Sequence, residues 1–208
     1  MGRLYFLGGE TVARRDSKEV NALAFEDAGG SPRVLVFPWA RASFDASYLR
    51  RKRVTEYFRG LGAREVRFAD FSDSTEQLST EIKASELVYL TGGQVSALAS
   101  RGKAKGLDWL LREYDGVVVG RSAGAVIMGR QCLVTNRYSG RRKVVPGFCL
   151  VPFSVKAHYL PAKEALLRRF SLKEKVFAIP HGCALICDRE TSALTAVGEV
   201  SLPRLVAL

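Results

Sequence analysis

Chemistry in this sequence centres on Gly120-Arg121-Ser122-Ala123-Gly124, which fits the G-x-S-x-G nucleophile elbow. Gly116 to Val119 is short and apolar enough for a fully buried strand, and Ala125 to Met128 begins a buried helix. A strand that turns at once into a helix leaves no room beside the serine, which accounts for glycine at 120 and 124. The turn lifts the Ser122 hydroxyl away from the backbone. It also aims the Ala123 N–H and the helix N-terminus at the place where an oxyanion would form. The plainer alternative is a tight turn whose serine only caps a helix. A serine hydroxyl needs a base within hydrogen-bond reach, and the chain has two histidines. His158 ends the strand-like run from Phe153 to Tyr159, whereas His181 sits in a turn between Pro180 and Gly182.

The elements that must position these residues alternate. Strands are predicted at Arg3 to Gly8, Arg33 to Pro38, Glu65 to Asp70, Glu86 to Thr91 and the elbow strand. Helices are predicted from about Asp16 or Ser17, over Phe44 to Leu61, Ser74 to Ala84, Val95 to Arg101 and Leu107 to Tyr114. This is the signature of a doubly wound, mostly parallel α/β sheet, in which ligands bind at the carboxyl ends of the strands. Gly92-Gly93 and Ser122 both fall on that edge. Beyond Met128 the pattern shifts to short strand candidates at Cys132 to Asn136, Phe148 to Val151, Val155 to Tyr159, Val176 to Pro180, Ala184 to Asp188 and Ala193 to Val197. One helix, near Ala162 to Phe170, interrupts them. Antiparallel strands added to a sheet edge in the C-terminal third fit this half, within one domain spanning 1–208.

Bulk properties narrow the class. At 47% hydrophobic and 25% charged residues, the composition is that of a soluble globular protein, and no apolar run reaches the ~20 residues that cross a bilayer. A cytoplasmic location is expected, without an export signal. Cys132, Cys149, Cys183 and Cys187 lack C-x-x-C spacing and lie in apolar surroundings, so buried free thiols are expected, with neither metal nor organic cofactor. The net charge of +11 attracts polyanions, but the basic residues are scattered and accompany no nucleic-acid motif. Nucleic acid is therefore a lesser reading of the charge than a solvated basic surface. Oligomeric state is left open.

A spaced set of segments resembles the dipeptidase E/cyanophycinase family of serine peptidases. It comprises Ser122-Ala-Gly-Ala125, the Thr91-Gly-Gly-Gln94 turn, Pro146 through Tyr159, and Ile179-Pro-His-Gly-Cys-Ala-Leu-Ile-Cys-Asp188. The resemblance implies a class-I-glutaminase-like, flavodoxin-like α/β fold and a serine-type peptidase. By position it makes Ser122 the nucleophile and His158 the general base, with the Gly93 and Ala123 amides as oxyanion hole. It also implies hydrolysis of small peptides after an N-terminal aspartate, or of an aspartate–arginine polymer.

One departure bears on mechanism. The resemblance implies an acidic triad member between nucleophile and histidine, at or near Arg137, yet no Asp or Glu stands between Ser122 and His158. Three arrangements stay open: Asn136 orients His158 as a neutral partner, an acid such as Glu164, Asp188 or Glu190 swings in, or the chain is a weak or inactive relative. Arg137 and Arg141 in the basic loop could bind a substrate carboxylate through their forks, or simply be solvated. Two readings compete with the peptidase. An α/β-hydrolase-like esterase would use Ser122, Glu164 or Glu174, and His181; a pseudo-peptidase would use its basic surface to bind an acidic partner or nucleic acid.

Overall fold

The computed structural model describes residues 2–10, 14, 16–135, 142–163, 167 and 175–201. In chain order its strands are β1 (Arg3–Leu7), β2 (Arg33–Phe37), β3 (Glu65–Phe68), β4 (Leu87–Leu90), β5 (Val117–Arg121) and β6 (Gln131–Thr135). There follow β7 (Arg142–Pro146), β8 (Ser154–Ala157), β9 (Val176–Ile179), β10 (Ala184–Asp188) and β11 (Leu194–Val197). Seven of them form one sheet in the order β11-β10-β1-β5-β4-β2-β3. The five strands from β1 to β3 in that order are parallel, while β10 and β11 add antiparallel at one edge. β6 with β7 makes a separate antiparallel pair, and β8 with β9 a separate parallel pair.

The pleat sends alternate residues of each strand to opposite faces. Leu4, Phe6, Leu35, Phe37, Val88, Leu90 and Val118 join one apolar cluster, packed under helices α3 (Thr75–Lys83), α4 (Val95–Ala104), α5 (Leu107–Arg112) and α6 (Ala123–Met128). Tyr5, Leu7, Val34, Val36, Leu87, Tyr89, Val117 and Val119 join the other, under α1 (Lys18–Asp27) and α2 (Arg51–Arg59). The central strands therefore bury both faces, which is why they are continuous apolar runs. Ser74 caps α3 in a reciprocal box with Gln77.

The helix expected from Phe44 is shorter than its apolar pattern suggests. Only a 3₁₀ turn at Asp45–Ser47 precedes α2, and Tyr48 is extended. Side-chain bonds to the backbone win there: Ser47 Oγ donates to the nearby Phe44 carbonyl (2.7 Å), and Asp45 Oδ1 accepts the distant Phe71 N–H (2.6 Å). Phe148 to Val151 is not a strand either. Its amides donate to the C-terminal end of α6 (Phe148 to Ile127 O, Leu150 to Met128 O), and Phe148 plugs the core. The strand of this region is instead β7, whose basic start looks like a loop in sequence. Pro161–Lys163 is a 3₁₀ turn, and most of the helix expected near Ala162 to Phe170 lies outside the described residues. All four cysteines are free, but only Cys132 and Cys187 are buried; Cys183 is half-buried and Cys149 exposed. No helix among the described residues is long and apolar enough to cross a membrane.

Candidate active site

The end of β1 is the frame on which the site is mounted. Leu7 O accepts the Ser122 N–H (2.9 Å), and Gly8 O accepts the His158 N–H (2.8 Å), so neighbouring carbonyls hold both segments. Ser122 sits between β5 and α6 at φ 53°, ψ −105°, a left-handed φ that costs a non-glycine residue energy. Its flanking glycines are required by contact. A Cβ on Gly120 would lie 2.5 Å from the Gly124 carbonyl carbon, and one on Gly124 would lie 2.3 Å from Leu90 O. His158, just past β8, also has φ 53°. The two strained residues meet: Ser122 Oγ and His158 Nε2 share a hydrogen bond of 2.8 Å. The Gly92-Gly93 turn follows β4 and abuts Ser122, with the space of a Gly92 Cβ only 3.2 Å from Ser122 Cβ. Gln94 N–H donates to Ala40 O (2.7 Å), which ties that turn to the end of β2.

His181, the base that the esterase reading needs, is not on Ser122 but beside His158. The two ring centroids are 5.8 Å apart with planes at 31°. His181 Nδ1 lies 3.5 Å from Asp16 Oδ2. Asp188 and Glu190 are at the wrong end of the sheet. Asp188 pairs in register with Arg3, four residues up the strand from Leu7, and its Oδ1 accepts the Glu190 and Thr191 amides. Asn136, Arg137, Arg141, Glu164 and Glu174 lie outside the described residues.

A family model described as Peptidase family S51 matches residues 4–196. The chain belongs to peptidase family S51. The S51 chain also has the fold of two solved structures. One, a putative peptidase E protein from Listeria monocytogenes EGD-e, is 20% identical over 99% of both chains with a TM-score of 0.68. The other, a peptidase from an acI-B1 Actinobacterium, is 19% identical over 98% of this chain and 91% of its own, with a TM-score of 0.72. No curated protein matches the S51 chain.

Under the elbow of this S51 protein lies a buried ionic cluster that the motifs do not announce. Arg121 Nη1 is 3.8 Å from Glu10 Oε2, with side chains 5% and 0% exposed. Tyr89 OH donates to Glu10 Oε2 (3.1 Å) and Asn21 Nδ2 donates to Glu10 Oε1 (3.3 Å). Burial opposes the Arg121 charge, but Tyr89 and Glu10, with Tyr48 and Tyr57, more than offset it and raise its pKa. Burial also raises the Tyr89 hydroxyl far above the usual tyrosine range, keeping it a donor. Nearby, burial, then Arg121 and Arg50, lower the pKa of Arg41. Its buried Nε, like the Tyr48 hydroxyl, has no hydrogen-bond partner among the described residues. The sequence signal was small but present: an arginine inside an otherwise apolar elbow, and a glutamate directly after Gly8-Gly9.

Proposed function

We propose that this S51 protein hydrolyses small peptides through an acyl-enzyme on Ser122, with His158 as general base. The observation that carries this reading is the 2.8 Å contact between Ser122 Oγ and His158 Nε2 at a strained elbow on the carboxyl edge of the sheet. With Nε2 unprotonated, His158 takes the Oγ proton as Oγ attacks the scissile carbonyl carbon. The Gly93 and Ala123 N–H groups hold the resulting oxyanion. Collapse breaks the C–N bond, and His158 returns its proton to the leaving amine. Water, deprotonated by the same imidazole, then attacks the ester and releases the acid and the Ser122 hydroxyl.

The substrate in this reading is a dipeptide with an N-terminal aspartate. Arg41, whose buried Nε has no partner among the described residues and which feels the charge of Arg121, supports an acidic side chain as the group bound. A fluorophosphonate probe tests the nucleophile: wild type is labelled, Ser122→Ala is not, and His158→Ala is labelled far more slowly. An unlabelled wild type ends the peptidase reading. A second reading rests on the absence of any carboxylate between residues 122 and 158 together with the +11 charge. In it the chain is a weakly active or inactive relative that binds an acidic partner. Labelling that proceeds without turnover of any Asp-X dipeptide, alongside salt-sensitive binding of a polyanion, would favour it.

A further inference from the structure

For His158 to accept the Ser122 proton at Nε2, the imidazole must carry its own proton on Nδ1 and be kept in that tautomer. The chain supplies no acid in the segment between the two residues. Among the described residues, another imidazole stands beside the Nδ1 edge of His158. A Cβ built on Gly9 would lie 2.4 Å from His158 Cε1, 2.6 Å from His158 Nδ1 and 2.8 Å from His181 Cδ2. The two rings thus converge on one point, and only a glycine leaves them room there.

The backbone fixes this pairing. Gly8 O accepts the His158 N–H (2.8 Å), and Gly9 O accepts the Gly182 N–H (3.1 Å). The same two-residue turn therefore mounts both histidines. His181 occupies the second position of the turn Pro180–Cys183, closed by Cys183 N–H to Pro180 O (3.3 Å) with Gly182 at φ +77°. Its Nδ1 faces Asp16 at 3.5 Å. A carboxylate there favours the proton on Nδ1 of His181, which leaves Nε2, the neighbour of Cδ2, as an acceptor.

We propose that His181, anchored by Asp16, is the positioning residue of His158: its Nε2 accepts the His158 Nδ1–H, so that two imidazoles and a carboxylate replace the usual single acid. The inference rests on the Ser122–His158 reading above. A neutral ring holds the tautomer but stabilises the imidazolium less than an adjacent carboxylate, because the Asp16 charge is one ring further away. Removing it should therefore cost less than the ~10⁴-fold seen when a triad acid loses its charge.

The test combines two readouts on the full chain. In the first, second-order labelling of Ser122 by a fluorophosphonate is followed in wild type, His181→Phe, His181→Gln, His181→Glu and Asp16→Asn. We expect about a 10- to 100-fold loss in His181→Phe, smaller losses in His181→Gln and Asp16→Asn, and a gain in His181→Glu. In the second, long-range ¹H–¹⁵N spectra read the tautomer directly, and with only two histidines each ring is assigned by the loss of the other. Wild type should show His158 protonated on Nδ1, and His181→Phe a shift toward the mixed tautomer. If wild type labels but His181→Phe matches it in rate and tautomer, the inference falls and the peptidase reading stands. If wild type does not label, the peptidase reading falls, and the tautomer spectra still decide the His181 pairing in either direction.

Discussion

The two ends of β1 are built on opposite rules. At its start, charges are matched and partly solvated. Arg3 bonds Asp27 (2.9 Å) and Asp188 (3.4 Å), and Tyr5 OH donates to Asp27. On the same edge, Glu86 joins Arg33 (3.0 Å) and Arg64 (3.2 Å). At its far end, the carbonyls of Leu7 and Gly8 hold two residues at positive φ, and Glu10 is a fully buried carboxylate facing Arg121 at 3.8 Å. The first edge is relaxed and adds modestly to stability. The second stores strain and desolvated charge, the features that concentrate where chemistry is done.

Substitutions at the two edges should therefore differ in kind as well as in size. The largest effect is expected for His158→Ala, on the order of a 10⁶-fold loss in acylation with the melting temperature little changed; stopped labelling assays measure it. Glu10→Ala comes next. It strands the Arg121 charge under the elbow and should cost about 3–5 kcal/mol in urea unfolding. An unchanged midpoint there would show that the buried pair contributes nothing. Gly9→Ala should cost about 100-fold in labelling rate, because its methyl group occupies the space of the His158 ring edge and displaces that ring. Smallest is Glu86→Gln at the relaxed edge, below about 1 kcal/mol and without effect on labelling. Burial alone would raise the Glu86 pKa, but the bonds from Arg33 and the charge of Arg64 bring it below 4.5. Its contribution is thus present above that value and lost as pH falls through the depressed one, so the wild-type and Glu86→Gln unfolding curves should converge in acid.

Much of the fold was legible because the central strands are apolar on both faces and alternate with helical patterns along the chain. Ser74 marks the start of one of these helices, Thr75–Lys83, and Gly116 to Met128 spelled out a strand, a turn and a helix. Residues 41–50 were not legible as written, since Ser47 bonds the Phe44 carbonyl while Asp45 is held by the N–H of Phe71, a partner 26 residues away. Nor was β7, in which arginine and lysine occupy strand positions on a two-stranded pair. In the site, the spacing of Ser122 and His158 was visible. The neighbours of His158 were not: Gly9, Asp16 and His181 are brought together only by the turn after β1, and no local pattern records a contact across so much chain.

That turn has a consequence for how the molecule is made. β1 comes first in chain order, yet its two sheet neighbours are Val117–Arg121 and Ala184–Asp188. The opening strand must therefore wait, unpaired, until more than half of the sequence has been synthesised on one side and nearly all of it on the other. Such non-local pairing slows folding and leaves apolar edges open in the meantime. Hydroxyl, imidazole and turn become neighbours only once the strand they share is paired on both sides, so the site is a product of the most distant contacts in the sheet.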